Sequence, residues 1–138
     1  LTGALTQKLI RFDAASAALA AKVTANYLLL SGLSALAEAF EVGRAGGLDD
    51  SKLREVLGES PLVAPGLRNR FEGVLTRSPE GWFPLTLGAK DAGLAVELAR
   101  SAGLDLKVAD AVRSLFESAV AGGSGDADVA AVGRVYRS

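Results

Sequence analysis

The stretch from Ala14 to Arg44, AASAALAAKVTANYLLLSGLSALAEAFEVGR, constrains this chain more than any other part of it. It has no proline, only two glycines, and a density of alanine and leucine, the strongest helix formers. Read as one helix it is ~46 Å long, whereas the mean globular helix has about 11–12 residues. Its N-terminal half is apolar almost all the way round, which predicts that other elements surround it. Lys22 interrupts that half, and Asn26 follows one turn later. Residues at i and i+4 share a face, so an amine and a carboxamide project side by side.

The chain has 138 residues, enough for one domain with a real core. It carries a net charge of −1, so no concentrated basic surface is expected for nucleic acid or an anionic membrane. There is no cysteine, which excludes disulfides and thiolate metal sites, and no histidine, which excludes serine–histidine triads and histidine-ligated zinc. No metal site is expected. Proton transfer falls to Lys, Asp, Glu or Tyr. The longest uncharged run, Val23 to Ala37, has 15 residues. A bilayer needs about 20, so no membrane span is expected. The chain starts at Leu1 and has no methionine, and the expectation is a piece of a longer protein.

Residues Leu1–Phe12 read as the tail of a preceding domain, with Lys8–Phe12 alternating like a short strand. Asp13 is placed to cap the long helix, and Gly43–Gly47 to end it. Asp49 and Asp50 open a second helix, Ser51–Leu57, with acidic residues at its positive end. A third is expected over Val63–Arg77, with Leu67, Phe71, Val74 and Leu75 as its stripe. The loop Ser78–Pro84 carries Trp82 and Phe83. A fourth helix spans Leu85–Ala102, with Leu87, Leu94 and Leu98 marking its buried side. Gly88 and Gly93 inside it cost about 1 kcal/mol each relative to alanine, and close helix contact accounts for them. A fifth covers Lys107–Ala121, with Val108, Val112, Leu115, Phe116 and Ala119 inward. Gly122–Gly125 connects it to a short last helix, capped by Asp128 and ending near Tyr136. The expected fold is all-α: a bundle of about six helices around one long N-terminal helix, filling residues 13–138.

Two pairs carry candidate chemistry. An amine taken out of water gives up its charge more readily and can serve as acid or base near neutrality, and burial of Lys22 in the apolar half of the helix is the expectation that would suit it to that task. Asn26 beside it can donate to, or accept from, the same substrate oxygen. The plainer alternative is that Lys22 snorkels to solvent and Asn26 bonds locally. Lys90 and Asp91 are the second pair: Lys90 can reach a cofactor and Asp91 can orient it, against the alternative of an ordinary exposed ion pair. Gly122-Gly123-Ser124-Gly125 has a faint phosphate-loop look, but no strand precedes it and a linker is the simpler reading. Arg68, Arg70 and Arg77 form a local basic cluster, read as a solvated helix face.

These segments together resemble the C-terminal helical domain of the β-hydroxyacid dehydrogenases, the 3-hydroxyisobutyrate and 6-phosphogluconate dehydrogenase-like group. Lys22-Val-Thr-Ala-Asn26 matches the family's K-x-x-x-N. Phe83-Pro-Leu85-Thr-Leu87-Gly-Ala-Lys90-Asp91-Ala-Gly-Leu94-Ala resembles its F-x-L-x-L-x-x-K-D-L-x-L-A stretch, and Ala45-Gly-Gly-Leu48-Asp49 its turn after the long helix. The likeness covers nearly the whole chain. It implies an NAD(P)-dependent oxidoreductase that interconverts a β-hydroxy acid and its semialdehyde or keto acid. Lys22 would be the acid/base, Asn26 and Phe83 would contact substrate, and Lys90 would touch the NAD or NADP. The cofactor itself would be held mainly by an N-terminal Rossmann domain outside this sequence, leaving the chain alone inactive. A homodimer or higher homo-oligomer through the helical domain and a cytoplasmic location are further implications. The chain departs from the family at Asp13, Ser16 and Ala18, where glycines are usual, and at Tyr27, the second asparagine of a usual pair. Larger residues there narrow the approach to Lys22. The rival expectation is a non-catalytic dimerisation or interaction module of the same fold.

Overall fold

The computed structural model describes residues 10–137. Among them are six α-helices, a wide π turn and a closing 3₁₀ helix, with no strand. Helix α1 is Ala15–Ala45, α2 Asp50–Leu57, α3 Pro65–Arg68, α4 Phe71–Thr76, α5 Leu85–Ser101 and α6 Lys107–Ala119. The π turn is Val120–Ser124 and the 3₁₀ helix Val129–Tyr136. The all-α bundle around one long helix is therefore the observed fold. Lys8 and Leu9 of the expected strand lie outside the described residues, and Ile10–Phe12 are irregular.

The second half of α1 is the axis of the core. Leu30, Leu33 and Phe40 are fully buried, and Leu36 and Ala37 nearly so. Phe40 meets Phe71 of α4 edge to face, with ring centroids 5.2 Å apart. Arg44 ties the helix end to its neighbours: it donates to Asp50 at 2.8 Å, Glu41 at 2.6 Å and the Leu75 carbonyl at 2.7 Å. The first half behaves otherwise. Residues from Ala15 to Leu19 are exposed, Leu28 is 72% exposed, and Val23 is the first buried side chain. The expectation that other elements surround this half is corrected. Most of its apolar residues are alanines, whose small area loses little by staying in water. By length and hydropathy alone α1 could cross a membrane, with 28% of its most apolar window buried in the bundle.

Of the two caps expected from the sequence, Asp128 holds and Asp13 does not, and Asp49 of the acidic helix start proves to be a cap as well. Asp49 accepts the Lys52 N–H at 2.8 Å and Asp128 the Ala130 N–H at 3.0 Å. Asp13 does not cap α1; Ala14 takes that position with no side-chain bond. The expected single helix over Val63–Arg77 is split at Asn69–Arg70. Arg70, at the break, is buried.

Helix α5 buries a different face from the expected one. Leu87 and Leu98 are about half exposed, at 48% and 49%, while Leu85, Gly88, Ala92, Val96 and Ala99 are buried. Val108 of α6 is likewise exposed, and Ala109, Val112, Phe116 and Ala119 point inward. Small residues win because α5 and α6 pack closely. A Cβ at Gly88 would stand 2.7 Å from Phe116 Cε1 and 2.9 Å from Val129 Cγ1. The close-contact account therefore holds for Gly88. It fails for Gly93, whose added Cβ would meet only Arg113 Cδ, at 4.0 Å.

Candidate active site

Three segments converge on one cleft of about 410 Å³. Helix α1 contributes Lys22, Asn26 and Leu29; α5 contributes Leu87, Lys90 and Asp91; the loop before α5 contributes Trp82 and Phe83. The four residues singled out from the sequence, Lys22, Asn26, Phe83 and Lys90, thus line a single hollow, although 68 positions separate the two lysines.

The hydrogen bonding decides which way Asn26 faces. Its Nδ2 donates to Asp91 Oδ2 at 2.6 Å. A carboxylate only accepts, so the amide nitrogen must be the atom turned toward it. That leaves Oδ1 of Asn26 available as an acceptor. Asp91 is 9% exposed, so the bond sits in a drier setting than the rim. Asp91 thereby anchors the Asn26 amide. Nor is Lys90–Asp91 an ordinary exposed pair, since only Lys90 faces solvent.

Lys22 is exposed, as is Lys90, and neither forms an ion pair with a described carboxylate. The expected desolvation of Lys22 is not supplied by this chain's own packing. Two free ammonium groups and one committed carboxylate give the cleft a net positive rim, suited to an anionic ligand. Asp13, Ser16 and Ala18 are exposed and do not line the cleft.

The aromatic wall is braced from behind. Trp82 and Phe83 stack with centroids 6.2 Å apart and planes 17° from parallel. The Arg70 guanidinium lies 4.8 Å from the Trp82 ring centroid. Arg70 in turn pairs with Asp128, Nε to Oδ1 at 3.3 Å, with both side chains buried. Asp128 Oδ2 also accepts the Phe83 N–H at 3.1 Å. The reading of Arg70 as part of a solvated face is therefore corrected. Arg68 does lie at the surface, where it donates to the Gly58 and Ser60 carbonyls, but Arg77 pairs with Glu41. Sequence reasoning missed Arg70 as a support of the site. Its partner is 58 residues away, and nothing local marks the pair.

A family model described as the NAD-binding region of NADP-dependent 3-hydroxyisobutyrate dehydrogenase matches residues 16–136. The chain belongs to the 3-hydroxyisobutyrate dehydrogenase family. An uncharacterised oxidoreductase of Bacillus subtilis is 34% identical over 116 residues, covering 82% of this chain and 40% of that protein. The 2-(hydroxymethyl)glutarate dehydrogenase of Eubacterium barkeri is 30% identical over 118 residues, 85% of this chain and 39% of that one. In fold, the chain is similar to the crystal structure of 3-hydroxyisobutyrate dehydrogenase from Salmonella typhimurium. The TM-score is 0.77 at 22% identity, over 84% of this chain and 41% of the other. The chain spans about 40% of the length of the curated relatives it matches. The stretch that the family model matches is all-α here, and that model is described as NAD-binding.

Proposed function

We propose that this chain is the helical domain of an NAD(P)-dependent oxidoreductase that interconverts a β-hydroxy acid and its semialdehyde or keto acid. The observation that carries the reading is the convergence of Lys22, Asn26 and Lys90 on one cleft, with the Asn26 amide fixed by Asp91. The related dehydrogenase from Eubacterium barkeri is named for a substrate whose hydroxyl sits on the carbon β to a carboxylate, which fits the substrate class.

The bound nicotinamide supplies a hydride acceptor or donor. The residues of this chain do the rest. Lys22 Nζ takes the hydroxyl proton during oxidation and returns it during reduction. Asn26, with one Nδ2–H given to Asp91, donates the other to the substrate oxygen and holds it near Nζ. Phe83 closes one side of the cleft, and the Lys90 ammonium would help hold the cofactor there. A second domain laid over the cleft strips water from Nζ, which an amine needs before it exchanges protons near neutrality. That domain also holds the dinucleotide, so these 138 residues alone are inactive. Exposed Leu19 and Leu28 on α1 support homo-oligomerisation through this domain.

The test uses the complete enzyme, assayed with short β-hydroxy acids and both cofactors. Lys22→Ala lowers kcat by about 10²–10⁴-fold while cofactor affinity, read by fluorescence quenching, stays unchanged. Near-normal turnover by that variant refutes the assignment. It would leave the non-catalytic module as the reading.

A further inference from the structure

A second hollow, of about 580 Å³, lies away from the cleft and shares no residue with it. It is formed by the π turn and the ends of α6 and the 3₁₀ helix. Ser118, Gly122, Ser124, Arg134 and Arg137 line it over an apolar floor that includes Val135, and none of its lining residues is acidic. Its neighbour Glu41 is roughly 22 Å along α1 from Asn26, counting 1.5 Å per residue.

The arginines are held in place by bonds that leave cationic edges unspent. Arg134 Nε donates to the Arg77 carbonyl at 3.0 Å, and Arg134 forms no ion pair with a described carboxylate. Arg137 Nε donates to Glu41 Oε2 at 3.1 Å. Tyr136, whose hydroxyl donates to Glu38 at 2.7 Å, fixes the same segment to α1. In the arginine group of Arg44, Arg77, Arg134 and Arg137, Arg77 and Arg137 share Glu41, and Arg44 divides between Glu41 and Asp50. Arg134 is the member of that group without an acidic partner. A guanidinium fixed by its Nε–H still presents its terminal N–H groups, which match an oxyanion. Ser118 spends its proton on the Ser114 carbonyl at 2.8 Å, so Ser124 is the lining hydroxyl left to donate.

We infer that this hollow is a second ligand site, which takes a small molecule bearing a phosphate or carboxylate against Arg134. The volume exceeds what a bare oxyanion needs, so the apolar floor would receive the remainder of the ligand.

The experiment is an amide NMR titration of the chain with inorganic phosphate, and separately with acetate, at constant ionic strength set by sodium chloride. Saturable shifts confined to Ser118–Ser124 and Arg134–Arg137 are expected with at least one of them. The one that saturates at lower concentration identifies the oxyanion. Arg134→Gln should weaken binding at least tenfold. Gly122→Glu tests the site without removing an arginine: a Cβ at Gly122 meets open space, and the added carboxylate competes with the anion for Arg134. It should keep the parent melting temperature and also lose at least tenfold in affinity, while Gly122→Ala binds normally. The inference is overturned if neither anion gives saturable shifts here, if the shifts map instead to the Lys22–Lys90 cleft, or if Gly122→Glu binds as tightly as the parent.

Discussion

Glycine-to-alanine changes at Gly88 and Gly93 should differ in their effect on stability, although both positions lie in α5 five residues apart. In a helix interior the change itself is favourable by about 1 kcal/mol. At Gly93 little opposes it, since the new methyl would approach only Arg113 Cδ, at 4.0 Å. At Gly88 the methyl would stand 2.7 and 2.8 Å from two atoms of the Phe116 ring and 2.9 Å from Val129 Cγ1. Phe116 and Val129 are both fully buried, so neither has a free end to swing aside. Overpacking of this kind costs about 1–3 kcal/mol. The helix gain is common to both variants, so the difference between them isolates the clash: Gly88→Ala should be less stable than Gly93→Ala by about 1–3 kcal/mol. At roughly 4 °C per kcal/mol for a domain of this size, the two melting temperatures should differ by about 4–12 °C. Thermal unfolding followed by circular dichroism, with urea denaturation as a check, measures it. Equal stabilities, or a more stable Gly88→Ala, would refute the claim that close approach of α5 and α6 is what requires glycine. The result bears on the cleft as well, because α5 is the helix that presents Lys90 and Asp91.

Asp128→Ala should destabilise the domain by about 3–5 kcal/mol, because it strands a buried guanidinium; Arg70→Met combined with it should recover part of the loss in urea melts. Asp91→Ala removes a hydrogen bond to a charged group, worth about 1.5–3 kcal/mol. In the complete enzyme it should raise KM for the hydroxy acid more than it lowers kcat, and an unchanged KM would count against Asn26 as a substrate contact. Glu41 gives a pH signature. Burial pushes its carboxyl up, but hydrogen bonds from Arg77, Arg137 and Arg44, with the charge of Arg77, hold it below the ordinary 4.5. The unfolded state therefore takes up the proton first. The stabilisation is complete at neutral pH, begins to fade as the pH falls toward 4.5, and is lost below the lowered native value. Melting temperatures of Glu41→Gln and parent should converge in acid; a constant gap down to pH 3 would contradict this.

The sequence by itself determined the long helix, the glycine turn that ends it, the acidic start at Asp49 and Asp50, the cap at Asp128, and the shared face of Lys22 and Asn26. Each depends on residues within about one turn of one another, where intrinsic propensity and i, i+4 geometry act. Tertiary structure alone decided which face of α5 is buried. Leu87 and Leu98 are the larger apolar residues, yet the approach of α6 admits only the side with Gly88, Ala92 and Ala99. It also decided the break at Asn69–Arg70, where an arginine gains a buried carboxylate far along the chain. The same holds for the bond from Asn26 to Asp91, across 65 positions. Both partners were visible as residue types, but their meeting depends on how the helices pack. Exposure of Lys22 has the same origin: helix preference fixes its register along α1, whereas its contact with water depends on which elements reach that end of the helix.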